Sequence, residues 1–338
     1  MRMSGIGGQA VLEGIMMKNG DDYALAVRLP DDQIHVEKDV YRSVAGDSPV
    51  KKAPFIRGVV AFIDSLVLGI STLMRSSTFF MDEEETGGAP EAGPGTAAAS
   101  DAGRAGAEES GAPKPAKEGL SGSDKAFMFG TLALSLAIAV ALFVLLPLFV
   151  TNLFRRVTDS PVILAVIEGV VKVVIFLGYL LAVSRMKDIR RTFMYHGAEH
   201  KCINCVETGH ELTVDHVRAA SRFHKRGGTS FLFYVVIISV IIGFFIQSGS
   251  TPLRLVIRLA LIPVIAGISY EFIRLAGSSD HPVVNVFAKP GLAMQKITTA
   301  EPDDGMIEVA IAAVEKVFDW RAFLAEDGSG PSGTEEET

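Results

Sequence analysis

Histidine and cysteine are concentrated in one short stretch of the chain, from His196 to His224. Five of the seven histidines and both cysteines lie there. Imidazole with thiolate or carboxylate is a ligand set that suits zinc, and iron and manganese are alternatives. The clustering therefore predicts a divalent metal site, most readily a zinc site. The alternative is a basic loop whose histidines are solvated or bind lipid phosphates.

The stretch begins Tyr195-His196-Gly197-Ala198-Glu199-His200-Lys201. In a helix, His196 and His200 lie one turn apart on the same face and could bind one metal ion. Glu199 projects nearby and could act as the catalytic base, because a Zn²⁺ ion lowers the pKa of its bound water to about 7. The H-x-x-E-H pattern has the form of the inverted zinc-protease signature, although Gly197 weakens the helix.

Further metal ligands are expected from side chains that the fold could bring to the same place. Glu271 lies at the predicted cytoplasmic end of the last membrane span, level with the histidines, and its alternative is an ion pair with Arg274. Cys202 and Cys205 are candidate ligands, a redox pair or plain small residues. Two cysteines this close together cannot form a disulfide framework.

Four long apolar segments must position these residues. Segment 126–154 carries no charge, segment 161–184 is apolar except for two residues, 229–253 is charge-free, and 253–273 is mostly apolar. Each is long enough to cross a bilayer core of roughly 30 Å as a helix. The chain is therefore predicted to be a mainly α integral membrane protein with about four transmembrane helices between 125 and 276, held in a lipid bilayer.

The loop 185–228 contains nine lysines and arginines, whereas the loop between the first two spans has only two. The positive-inside rule places the basic loop in the cytoplasm, so that both termini also lie there. The N-terminus does not read as a secretory signal. We expect a multi-pass protein of the cell membrane.

Three of the five charged residues inside the predicted spans are predicted to form a buried group. Glu168 and Lys172 are four residues apart in the second span, and Arg258 lies at a similar depth to Glu168 in the fourth. An ion pair that fixes the register of the helices is the favoured interpretation, and a proton or ion path is the alternative.

The other segments differ in composition. Residues 1–53 read as a small cytoplasmic β-meander, with strands at 10–17, 23–28 and 34–40 and a hairpin at Asn19-Gly20. Residues 54–81 read as an amphipathic or re-entrant helix, and 277–324 as a C-terminal helical segment with an amphipathic helix in 301–323. The net charge of −7 arises from 82–124, a predicted disordered linker, and the acidic tail 325–338, so it gives no support for nucleic-acid binding.

Three motifs resemble those of the YqhQ-like bacterial membrane family: Gly7 to Met17, Tyr195 to Lys201, and Thr299 to Asp304. That family is of unknown function and has been labelled a predicted metal-dependent enzyme. The resemblance covers the chain except the linker and the tail. It implies functional roles for Gln9, Glu13, His196, Glu199 and His200.

The chain departs from this family before the third span. The family commonly shows His-Pro-Arg-Cys-Gly-Thr where this chain has His224-Lys225-Arg226-Gly227-Gly228-Thr229, and Gly227 cannot ligate a metal. His224 remains an accessory candidate. Glu13, in an alternating strand, would face opposite to Leu12 and could project towards His196, or face solvent.

The leading functional hypothesis is a metal-dependent hydrolase at the cytoplasmic membrane face, with an unidentified substrate. The first alternative is a non-enzymatic scaffold or assembly factor that binds a protein partner. The third hypothesis is a small-ion transporter. The first and third predicted spans contain no charged residue, which disfavours it.

Overall fold

The structure is a computed structural model that describes residues 3–46, 48–49, 53–86, 122–224, 227–246, 251–278 and 281–326. The predicted disordered segments 82–124 and 325–338 lie largely outside these residues. The described part is mainly helical, with one small sheet near the N-terminus.

Four antiparallel strands form this sheet in the order β1-β2-β3-β4, which confirms the predicted meander. The strands are β1 (Gly7–Val11), β2 (Gly14–Asn19), β3 (Asp22–Arg28) and β4 (Ile34–Val40). The prediction of one strand over 10–17 was wrong, because the chain turns at Leu12 and Glu13. Glu13 has a φ of 50°, so it is a turn residue and not part of an alternating strand.

Both faces of the sheet are covered by helices. On one face, Ile15, Met17 and other strand residues pack against α5 (Lys187–Glu207) and α11 (Asp304–Val317). On the other face, Val11 and Leu25 pack against Leu68 of a long helix. Burial on both sides explains why the strand residues of β2 and β3 are apolar at consecutive positions rather than alternating.

The segment 185–228, expected to be a loop, is mostly helical. It contains α5 and the short helix α6 (Val214–Ala219). The second half of α5 is buried in the core beside the sheet, whereas its first half is largely exposed. The basic residues that suggested a loop lie mostly in that exposed half and at the ends of the segment.

The first two predicted spans are long apolar helices. One consists of α2 (Gly122–Val140), a π-helical segment (Ala141–Leu145) and α3 (Leu146–Phe154), and the next is α4 (Pro161–Val183). Pro147 has no N–H to donate to the preceding turn, which accounts for the altered hydrogen bonding there. Ala133–Phe154 and Pro161–Val183 both have the length and composition of a membrane span.

The later spans differ from the prediction. The third, predicted over 229–253, is the shorter helix α7 (Gly228–Phe245). The fourth consists of α8 (Thr251–Ala260) and α9 (Ile262–Ser278), which are bent by 42° at their junction. By length and composition, the described residues contain three helices that could cross a membrane, or four if the bent pair is one span.

The third of those helices is α1 (Ile56–Thr86), which the sequence predicted to be an amphipathic or re-entrant helix. Residues Ile56–Phe80 have the length and hydropathy of a span. However, Leu68 and the residues after it lie on the sheet, whereas Gly58 packs against Gly267 of α9. The helix therefore joins the sheet to the helix bundle.

Three helices follow the bundle: α10 (Pro282–Thr298), α11, and α12 (Trp320–Glu326). The predicted amphipathic helix over 301–323 is thus two helices, separated at Phe318 and Asp319. Ile307, Val314 and Val317 are buried as expected. Asp303 caps α11 by accepting a hydrogen bond from the Met306 N–H at 2.8 Å.

Glu168, Lys172 and Arg258 are in contact within the bundle. The Glu168 carboxylate accepts a hydrogen bond from Arg258 at 2.6 Å and lies 3.1 Å from the Lys172 ammonium. All three side chains are almost completely buried. One carboxylate thus compensates two cations and ties α4 to α8, the arrangement that the favoured interpretation requires.

Replacing Glu168 by alanine leaves two buried cations without their shared partner. We expect Glu168→Ala to lower the unfolding free energy in detergent by about 3 kcal/mol, since breaking a buried ion pair leaves an uncompensated charge in the protein interior. The measurement is thermal or denaturant unfolding of the purified protein.

The control removes all three charges, as Glu168→Leu with Lys172→Met and Arg258→Met. It should be less destabilising than the single change. A single variant that is as stable as the triple variant would show that the ion pair does not hold the helices together.

Candidate metal centre

His196, Glu199 and His200 meet on one face of α5. One ligand atom from each lies within 4.8 Å of the other two, and the two imidazole rings have their centroids 4.4 Å apart. His196 Nε2 is 3.8 Å from the Glu199 carboxylate. The spacing of three and four residues in a helix produces this convergence directly. Among the described residues, these are the three histidine, cysteine or acidic side chains whose ligand atoms lie close enough together to hold one metal ion.

The hydrogen bonds of the two imidazoles determine which nitrogen is free. His196 Nδ1 lies 2.9 Å from the Thr298 carbonyl oxygen, and His200 Nδ1 lies 2.8 Å from the Arg222 carbonyl oxygen. A carbonyl oxygen can only accept, so each Nδ1 carries the proton and donates it. Nε2 of both rings therefore keeps a lone pair. Metal-binding histidines are typically held in this way.

Gly197 allows the backbone at Ala300, close to the Thr298 carbonyl, to approach α5. A Cβ atom at position 197 would overlap the carbonyl oxygen of Ala300, and the Ala300 N–H donates to the Phe193 carbonyl at 2.9 Å. The helix continues through Gly197 despite its low helix propensity. The glycine is thus explained by close approach of two backbones rather than by a helix end.

Lys201 and Asn204 bind the irregular segment that follows α6. Together they donate four hydrogen bonds to backbone carbonyls, one at the end of α6 and three in this segment. The acceptors are Arg218 and Ala220 for Lys201 (both 2.9 Å), and Ser221 and Phe223 for Asn204 (2.6 and 3.0 Å). The Arg222 carbonyl bound by His200 belongs to the same segment, so α5 holds it along its whole length.

His224 lies beside this cluster and is held from two sides. The fully buried Gln295 accepts a hydrogen bond from the His224 N–H at 2.9 Å and donates to the His224 carbonyl at 2.7 Å. The ring Nε2 is 3.2 Å from the Glu207 carboxylate, and the ring centroid is 5.9 Å from that of His200. Burial would raise the pKa of Glu207, but hydrogen bonds from His224 and Ser4 outweigh it and hold the pKa below its usual value.

Burial dominates the electrostatics of the three converging residues. It raises the pKa of Glu199 to about 8, against a hydrogen bond from the Gly8 N–H that lowers it. Burial also lowers the pKa of His196 and of His200, so both rings are neutral at pH 7. A neutral imidazole can ligate a metal, and a bound cation would offset the desolvation of the carboxylate.

The donor set fits a divalent transition metal. Two ligand atoms on one Zn²⁺ ion lie about 4 Å apart or less, since each bond is roughly 2.1 Å long. Small side-chain rotations would bring the three ligand atoms into that range. Two imidazoles and one carboxylate suit zinc, and they also match the facial set of non-haem iron. Three protein ligands leave coordination positions open.

Glu271, expected as a third ligand, does not join this cluster. Both oxygens of its carboxylate are bound by the Arg57 guanidinium of α1, with the Arg57 Nε at 2.6 Å. It is a structural residue that fixes the start of α1 on α9. The structure pairs Glu271 with Arg57 instead of bringing it to the metal candidates, and the alternative partner Arg274 contributes a further electrostatic interaction.

Cys202 and Cys205 are also outside the cluster. Both are buried in the apolar core beside the sheet. Burial raises the pKa of Cys202 well above its usual value and that of Cys205 to about 12. Thiols of this kind are not ionised at neutral pH, so they pack as small apolar residues rather than as ligands or a redox pair.

Two candidates from the N-terminal motif do not reach the cluster. The Glu13 carboxylate is bound by the Arg191 guanidinium and accepts a hydrogen bond from the Tyr195 hydroxyl at 3.2 Å. Gln9 lies on the opposite face of the sheet, against Gly69 of α1. Both therefore position the sheet against its helices.

Two glycines shape the surroundings of the cluster. A Cβ atom at Gly8 would lie 2.9 Å from Glu199 Cγ, so this glycine lets β1 approach the carboxylate closely. A Cβ atom at Gly227 would lie 3.0 Å from His200 Nε2. Position 227, where the related family commonly has a cysteine, therefore places no side chain against His200 in this chain.

Sequence reasoning missed the residues that hold the cluster in place. Asn204 follows His200 by four residues and Lys201 by three, so its helical spacing was an available signal. Gln295 and Thr298 gave no signal, because they act on or through backbone groups far away in the chain. Helical spacing alone could identify the ligands but not their supports.

Comparison with known proteins relates the chain to a family without an assigned function. Residues 53–320 match the family described as "Protein of unknown function (DUF1385)". The chain is similar to the uncharacterized protein YqhQ of Bacillus subtilis (strain 168), with 33% identity over 330 residues that cover 96% of each chain. No solved structure matches the chain.

Gly197→Ala should separate α5 from the Ala300 backbone and weaken the His196–Thr298 hydrogen bond. We expect a loss of about 2 kcal/mol in unfolding free energy, since the added methyl group has no space. Gly178→Ala is the matched control, because a Cβ atom there meets nothing within 4 Å. If both variants are equally stable, the close approach at Gly197 is not required.

Glu199 should make the metal-free protein less stable as the pH rises. With a folded pKa of about 8 and an ordinary value of 4.5, the folded state binds more protons than the unfolded state between these values. Between pH 6.5 and 8 the titration of Glu199 should therefore lower stability by about 1 kcal/mol per pH unit, and histidines that still bind protons in the unfolded state near pH 6.5 partly offset this slope.

The measurement is the unfolding free energy in detergent with a chelator present, at pH 6.5 to 8. Glu199→Gln should remove most of this slope, because glutamine does not titrate. A slope that is unchanged by the substitution would assign it to another group and would contradict the burial of an ionisable Glu199.

Proposed function

The chain belongs to the DUF1385 family of proteins of unknown function, and we propose that it is a membrane-embedded, metal-dependent enzyme of hydrolytic type. The observation that carries this proposal is the buried convergence of His196, Glu199 and His200, with each imidazole Nδ1 held by a carbonyl. Such preparation of two Nε2 lone pairs beside a carboxylate is typical of metal centres.

The apolar helices support a place in the cell membrane, with the metal centre at its cytoplasmic face. The centre lies just beyond the ends of the bundle, because α5 begins three residues after α4 ends and α7 begins soon after His224. The basic residues flanking α5 favour the cytoplasmic side by the positive-inside rule. Both termini then lie in the cytoplasm.

We assign His196 Nε2, His200 Nε2 and the Glu199 carboxylate as the ligands. Since Glu271 is bound by Arg57, Glu199 takes the place of the third ligand rather than that of the base. A divalent metal would supply Lewis acidity and would lower the pKa of a bound water molecule. A substrate would approach these ligand atoms from the side of Gly227 and the partly exposed edge of His196.

His224 is the residue that we assign to proton transfer. Its Nε2–H donates to the Glu207 carboxylate, so its Nδ1 is left as an acceptor. Glu207 orients the ring and would stabilise it when it is protonated, as the acid of a catalytic triad does. Gln295 fixes the His224 backbone, so that the ring stays next to His200.

The test is metal analysis of the protein purified in detergent. We expect about one zinc or iron ion per chain, and less than a tenth of that in His196→Ala with His200→Ala, because two of three ligands are lost. Glu199→Gln should lower the metal affinity about tenfold or more. Full metal content in Glu199→Gln would instead show that Glu199 is not a ligand, and would favour its predicted role as the catalytic base.

The matched controls are His210→Ala and the double change Cys202→Ser with Cys205→Ser, which should keep the metal. Metal content that is unaffected by loss of His196 and His200 would refute the metal centre. A metal-free protein that co-purifies with one stoichiometric partner would favour the scaffold function instead.

A further inference from the structure

A second polar site lies at the other end of the helix bundle from the metal centre. It is a cavity of about 310 Å³. It is bounded by the end of α3, the start of α4, the end of α7 and the start of α8. The polar side chains that line it are Thr151, Arg155, Asp159, Glu168, Arg254 and Arg258.

Positive charge is in excess in this cavity. Three arginines face two carboxylates, and one of these, Glu168, is already shared by Arg258 and Lys172. With Lys172 included, the cluster has a formal excess of two positive charges. Ionisable groups at this depth in an apolar helix bundle are expensive and generally mark a binding site or a pathway.

Arg258 is buried beside the cavity and has donors that no described residue satisfies. Its side chain is 90% buried, with 10% of its surface exposed. One terminal nitrogen donates to Glu168, but Nε and the other terminal nitrogen are buried and have no hydrogen-bond partner among the described residues. Unpaired donors of a buried guanidinium are costly, and an anion in the cavity would accept their hydrogen bonds.

We propose that this cavity binds an anionic phosphate group, supplied by a lipid headgroup or by dissolved phosphate. The planar guanidinium groups of Arg155, Arg254 and Arg258 match the oxygen geometry of phosphate. The volume is large enough for one such group, and Arg155 is exposed at the end of the bundle, where a ligand would enter. This site is independent of the metal centre and does not require its chemistry.

The test measures thermal stability of the full-length protein in an uncharged detergent. Phosphatidylglycerol, phosphatidylcholine and inorganic phosphate are titrated separately. We expect phosphatidylglycerol to raise Tm in a saturable way and phosphatidylcholine, which has no net charge, to have little effect. Stabilisation by inorganic phosphate as well would identify a site for the dissolved anion, whereas an effect of the lipid alone would identify a headgroup site.

Arg155→Gln and Arg156→Gln form a matched pair. Both residues are exposed neighbours in the same turn, but only Arg155 lines the cavity. Arg155→Gln should weaken the apparent affinity about fivefold through loss of charged hydrogen bonds, and Arg156→Gln should not change it. Equal effects of the two variants, equal stabilisation by phosphatidylcholine, or no stabilisation by either anion would overturn the proposal.

Discussion

Hydrogen bonds from α5 side chains to backbone carbonyls are the interactions on which the proposed metal centre depends. The end of α10 and the segment after α6 pack beside α5, and their carbonyls need donors. His196 and His200 are two of those donors, so the same bonds that satisfy the backbone also fix the tautomer of each imidazole. The same two hydrogen bonds therefore stabilise the packing of the chain and leave both Nε2 lone pairs available.

The structure handles buried charge in two different ways. In the helix bundle, Glu168 lies between two cations and acts as a structural tie. Beside the sheet, no cationic side chain among the described residues pairs with Glu199, and burial raises its pKa to about 8. A carboxyl group beside neutral imidazoles fits a metal ligand better than a structural ion pair.

The sequence predicted the features that depend on local spacing. The one-turn separation of His196 and His200, the meander and the contact between Glu168 and Arg258 all follow from periodicity or helix rise. Glu271 was misassigned because depth in the membrane does not tell which neighbour a carboxylate meets, and Arg57 lies on a helix whose packing the sequence did not reveal. The carbonyl partners Thr298 and Arg222 carried no signal, since every residue has a carbonyl.

The metal centre is built at the junction of three helices that belong to, or pack on, the apolar bundle. α5 follows α4 after three residues, the segment that ends at His224 leads into α7, and Thr298 is the last residue of α10. A shift of α10 would stretch the bond to His196, and a shift of α7 would disturb the segment that binds His200. The geometry of the two imidazoles is therefore coupled to the packing of these helices, so an intact bundle is a physical requirement for the metal centre.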